Sequence, residues 1–201
     1  MPTKTTQGEG SKADEILEVG QELIQTVGYD GFSYRDIADR VGIKSASIHY
    51  YYPAKTDLAC AAARKYRVDF SAGVTEMAAG RPTPLEQLAG FAEIFQNTLE
   101  KLKRVCLCGM LASEASSIPE IVTAETDAFF TEQQAWLRET ITSGIENGSI
   151  DGNVDADAFA QTFLSALEGA MIMARCMDRP EHLAQVANQL ISLLQPADAR
   201  G

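Results

Sequence analysis

Throughout this chain apolar residues recur three and four positions apart, and no segment alternates apolar with polar residues over six or more positions. A helix repeats about every 3.6 residues and a strand every two, so this spacing predicts packed helices and no sheet. Ile16, Val19, Leu23, Ile24 and Val27 form one face of a first helix, and Gly28 suits a left-handed cap at its end. Ser33 to Asp36 reads as a capping box opening a second helix that stops at Gly42, and a very short third fits 45–51 before Pro53. A long helix is expected over 55–79, then a break at Gly80 to Pro84, with Thr83, Pro84 and Glu86 restarting a helix that runs to about Leu102. A short apolar segment, 105–115, precedes a helix over 120–146, one over 156–175 capped by Asp155, and a last one opened by Asp178 to Glu181. The expectation is an all-α protein of about nine helices.

Composition narrows the function. The 201 residues are 45% apolar and 22% charged, enough for one or two globular domains. The longest run without a charge, Leu183 to Ala197, contains five Asn, Gln and Ser residues, so no membrane span is expected. The polar first residues lack the apolar core of a secretory signal, which predicts a cytoplasmic address. Four cysteines, none in a C-x-x-C pair, give neither a disulfide scaffold nor a zinc site, and reduced thiols are expected. The net charge of −11 opposes indiscriminate coating of nucleic acid. That charge is uneven: residues 1–70 hold nine basic against ten acidic groups, and the remainder holds eight against eighteen. A local basic surface therefore fits only in the first third.

The most informative string is 33–52. Two short helices crossing steeply need a small residue at their approach and a turn residue tolerant of positive φ, and Ala38 and Gly42 supply them. Ile37, Val41, Ile43 and Ile48 then share a core, leaving Lys44, Ser45, Ala46 and Ser47 at the exposed tip of the second short helix. Short side chains there let a helix sit deep in a major groove, with Tyr50 and Tyr51 placed for flanking phosphates. A merely structural helical hairpin would show the same spacing.

Over Ser33 to Leu58 the sequence resembles the TetR family of transcriptional regulators: Gly42 matches that family's turn glycine, Tyr52 the aromatic ending its third helix and Lys55 the lysine opening its fourth. His49 stands where tyrosine is commoner, and Ala54 stands where a serine cap is common, which predicts a weaker start to the fourth helix. The resemblance implies a homodimer on a double-stranded DNA operator, with three DNA-binding helices, a linking fourth helix, and the last two helices forming a four-helix bundle with their partners. DNA contact is expected from Ser33, Tyr34, Arg35, Lys44, Ser45, Ala46, Ser47, His49, Tyr50, Tyr51 and Lys55. The implied divisions are a flexible tail over 1–10, a DNA-binding domain over 11–58, and a ligand-binding and dimerisation domain over 59–201.

Residues 156–174 carry apolar groups around so wide an arc that the helix needs two burial surfaces, which independently favours a dimer over a monomer with a buried central helix. The interface is expected from Phe159, Phe163, Ala166, Ala170, Met173, Val186, Leu190 and Leu194. Phe91, Phe95, Cys106, Met110, Phe129, Phe130, Trp136 and Phe163 could line an apolar effector pocket or form plain core, with Glu114 and Arg175 as its charged groups. Arg104 beside Cys106 would favour a reactive thiol, with ordinary packing as the alternative. With only His49 and His182, no phosphate-binding glycine loop and no catalytic serine elbow, enzymatic chemistry is not expected, and no metal or cofactor is implied. A small-molecule effector is. The alternatives are a helical interaction module and an enzyme working through Cys106 or Glu114.

Overall fold

The computed structural model describes residues 11–196, and the expected tail over 1–10 lies outside them. Nine helices occupy the described residues, with no strand among them: α1 (Lys12–Val27), α2 (Tyr34–Val41), α3 (Ser45–Tyr51), α4 (Lys55–Ala79), α5 (Pro84–Glu100), α6 (Leu107–Ser113), α7 (Glu120–Glu146), α8 (Ala156–Met177) and α9 (Glu181–Leu194). The all-α expectation holds.

Local chemistry sets most of the boundaries. Ser11 and Asp14 form a capping box at α1, and Thr83 with Glu86 forms another at α5, where Pro84 opens the helix. Gly28 (φ 82°) and Gly42 (φ 73°, ψ 34°) end α1 and α2 in backbone conformations that a side chain disfavours. α4 starts on Ala54, which has no acceptor to offer, yet the Asp57 carboxylate still accepts the Ala54 N–H at 2.8 Å. Half of the cap therefore survives the missing serine. α5 stops at Glu100, two residues short of expectation, and the chain turns through Lys103 at φ 57°.

α1 packs on α2, α4 and α6; α4 continues onto α5 and α7, and α8 packs on α7, α9 and α5. The expected division after residue 58 falls inside α4, which serves both halves: Leu58, Ala59 and Ala62 are buried toward the head, Phe70 and Val74 toward the body. The body core is aromatic. Phe70 lies 5.2–5.7 Å from Phe91, Phe95 and Phe129, and Trp136 stacks on Phe91 at 5.4 Å. Burying each such ring contributes roughly 1.5–3 kcal/mol.

Candidate nucleic-acid interface

The head is built around α2 and α3. Ile37, Ala38 and Ile48 are buried against Ile16, Leu23, Ile24 and Leu58, and Val41 and Ile43 pack at the edge of that core. Gly20 lets α1 and α4 meet, since a Cβ there would stand 2.9 Å from a Leu58 methyl. At the start of α2 the Asp36 carboxylate accepts both the Ser33 N–H and the Ser33 hydroxyl at 2.7 Å, and those bonds hold its pKa below the usual range.

One face of this unit is left to solvent. Ser33, Arg35, Lys44, Ala46, Ser47, His49, Tyr50 and Tyr51 are exposed and Ser45 partly so. Tyr50 is 84% exposed, an unusual cost for an aromatic ring that packs only edge-on against Tyr51. Among the described residues neither Arg35 nor Lys44 forms an ion pair, whereas Arg40 is engaged by Glu22 at 2.9 Å. Two free cations and two tyrosine hydroxyls on one face can serve phosphates, and the small residues of α3 can approach base edges.

Two expected contact residues are placed otherwise. Tyr34 is buried, donates its hydroxyl to the Tyr52 carbonyl at 2.9 Å and packs edge-on against His49; burial raises its pKa. Lys55 donates to the Phe32 carbonyl and sits 4.9 and 4.2 Å from the centres of the Tyr29 and Phe32 rings, and burial lowers its pKa. Tyr34 ties the start of α2 to the end of α3, and Lys55 holds the loop between α1 and α2. His49 is half tied as well, with Nδ1 3.0 Å from the Pro53 carbonyl.

The body departs further from expectation. Phe91, Phe95, Phe129, Phe163 and Cys106 are fully buried against their neighbours, so they form core rather than the wall of an open pocket. Phe130 and Trp136 pack at the core's edge, and of the expected set Met110 and Arg175 border a cleft. Arg104 does not activate Cys106: it pairs with Glu22 at 2.6 Å, and burial, reinforced by the Glu168 carboxylate, pushes the Cys106 thiol well above its ordinary range. Glu114 instead accepts the Tyr29 N–H at 2.7 Å. Phe163, Ala170 and Leu194 are buried within the protomer; the exposed stripe of α8 runs through Thr162, Ser165, Gly169, Ile172, Met173 and Cys176. Glu168 escaped sequence reasoning. It is half-buried, with Oε1 fully buried and unpartnered among the described residues, although its place beside Leu164, Leu167 and Met171 on an apolar stripe could have marked it.

Three helices presenting an unpaired, tyrosine-bearing face on an acidic helical body make this a helix-turn-helix regulator in form. The family models agree: "Bacterial regulatory proteins, tetR family" matches residues 16–62, and "Tetracyclin repressor-like, C-terminal domain" matches residues 84–190. The chain belongs to the TetR family of transcriptional regulators. It is 26% identical over 151 residues to the HTH-type transcriptional repressor KstR2 of Mycolicibacterium smegmatis, covering 74% of this chain and 72% of that one. A TetR family regulator from Agrobacterium tumefaciens superposes with a TM-score of 0.89 at 34% identity, covering 92% of this chain and 98% of that one. A TetR regulator from Legionella pneumophila gives a TM-score of 0.83 at 28% identity, covering 94% and 100%. Among the described residues no helix is long and apolar enough to cross a membrane, and no group of side chains is arranged to hold a metal ion.

Proposed function

We propose that this protein is a ligand-responsive repressor that binds a near-palindromic operator as a homodimer and leaves it when a small molecule binds the helical body. The observation that carries the DNA contact is the outer face of α2 and α3. Arg35, Lys44, Tyr50 and Tyr51 stand free there, on a chain whose remaining surface is acidic. DNA contact rests on these with Ser33, Ser45, Ala46, Ser47 and His49; behind them Tyr34 ties α2 to the end of α3 and Lys55 holds the loop before α2.

The dimer reading rests on the exposed stripe of α8. Gly169 sits mid-helix, where glycine costs about 1 kcal/mol relative to alanine, and a Cβ there would meet nothing within 4 Å. Close approach of a second helix gives that glycine a purpose. In such a dimer the two α3 helices would address half-sites about 34–36 Å apart.

Selection of bound duplexes from a random pool, followed by salt titration on the best site, tests the reading. The expected result is a two-fold symmetric sequence with a steep salt dependence. Folded dimer that enriches no sequence at low salt would refute it and favour a protein-interaction module.

A further inference from the structure

α1 ends without a basic residue in its last turn, so the partial negative charge of its terminal carbonyls is not offset from within the helix. The cation comes from α8 instead. Arg175 donates to the Gln25 carbonyl at 3.4 Å and to the Thr26 carbonyl at 2.6 Å. Other bonds tie the same end of α1 to the segment entering α6: Gln25 Nε2 donates to the Val105 carbonyl at 3.0 Å, the Val105 N–H returns to the Gln25 carbonyl at 3.5 Å, and Arg104 meets Glu22 at 2.6 Å.

Beside this junction lies a cleft of about 380 Å³. Its walls are mostly apolar, formed by Val27, Val105, Met110 and Ile172 with Thr26 and Cys176 beside them; its one charged lining group is Arg175, and no carboxylate lines it. Among the described residues Arg175 forms no ion pair, and its guanidinium is held by those two neutral carbonyls. A carboxylate holds a guanidinium more strongly than two neutral carbonyls do, because it adds a full opposite charge and a bidentate geometry matched to the guanidinium fork.

We propose that this cleft binds a small amphiphilic carboxylate, whose acid group takes Arg175 from the Gln25 and Thr26 carbonyls and so loosens α1 from the body. The inference rests on the repressor reading and gives it an effector class and a route. Loosened heads sample more orientations, the fraction at the correct half-site spacing falls, and apparent operator affinity falls with it. Ile172 also belongs to the exposed stripe of α8, so the cleft opens where the partner subunit would approach.

Octanoate is the probe, with octanol and octylamine matching its apolar body without its acid. Calorimetry on the full-length protein is expected to show octanoate binding, absent for both controls, lost in Arg175→Gln, and lost in Met110→Glu, which places a carboxylate in the cleft wall. Anisotropy on the selected operator is expected to show octanoate weakening binding about tenfold or more, with Arg175→Gln unresponsive. Octanoate binding that survives Arg175→Gln, equal binding of octanol, or no binding because the partner fills the cleft would overturn the proposal. Calorimetry reads the cleft without DNA, so a failure to select any operator refutes the repressor reading alone. A selective operator complex indifferent to octanoate refutes this inference alone.

Discussion

Glu168 shows how one side chain can set a pH dependence for the whole body. Burial raises its carboxyl from 4.5 to about 7, only partly opposed by the Cys106 hydrogen bond, and Gly109 makes room for it: a Cβ there would stand 2.4 Å from Oε2. An acid whose pKa is higher in the folded chain lends stability that is complete below its unfolded value and is lost as pH rises through the folded one. The loss is on the order of 3 kcal/mol between about pH 4.5 and pH 7. The thermal midpoint is therefore expected to fall across that window, and Glu168→Gln is expected to flatten the profile and melt higher than the parent at about pH 8. A melt of both proteins at several pH values checks this, and parallel profiles would contradict it. Residue roles were the least legible part of the sequence. Tyr34 and Lys55 occupy positions that look suited to phosphates, but a phenol and a long ammonium side chain each have an apolar stem that can be buried, and their partners Tyr52 and Phe32 are 18 and 23 residues away. No local pattern encodes such distant pairs.

At the scale of single elements the sequence was far more explicit. The Gly28 end of α1, both ends of α2 and the start of α5 follow from glycines and caps a few residues away, and so could be read off directly. The segment before α6 could not, because its helix begins only at Leu107, where Cys106 serves as a weak cap through its sulfur. The turn between α2 and α3 yields a sharp test. Gly42 holds a left-handed conformation, and a Cβ there would meet nothing, so Gly42→Ala costs backbone strain alone, about 1 kcal/mol, measurable by denaturant unfolding. Asn, which tolerates that conformation, is expected to recover part of the loss. On the outer face, Lys44→Ala is expected to reduce the salt slope of operator binding by about 0.9 for each phosphate that Lys44 neutralises, and Tyr50→Ala to weaken binding to all sequences alike. Filter or anisotropy titrations at several salt concentrations distinguish the two, and a Lys44→Ala slope equal to the parent's would show that Lys44 meets no phosphate.

For the molecule as a whole, the α8 stripe makes association testable without DNA. Gly169→Arg has open space within the protomer, so the helix content is expected to persist while sedimentation shows monomers; a dimer that survives would move the interface elsewhere. The wide apolar arc of α8 was legible, but which part of it faces its own α7 and α9 was not, because periodicity marks a face without naming what covers it. Phe163 and Ala170 turn inward while Ile172 and Met173 stay out, a choice made by the body's packing. α4 has a consequence of another kind. The head is small enough that its own core is a marginal source of stability, and it borrows Leu58, Ala59 and Ala62 from a helix whose other half is anchored by Phe70 and Val74. Head and body are therefore expected to melt as one cooperative unit: calorimetry should record a single transition, and damage to the aromatic cluster around Phe70 should weaken operator binding at the proposed α2–α3 face, which it never touches.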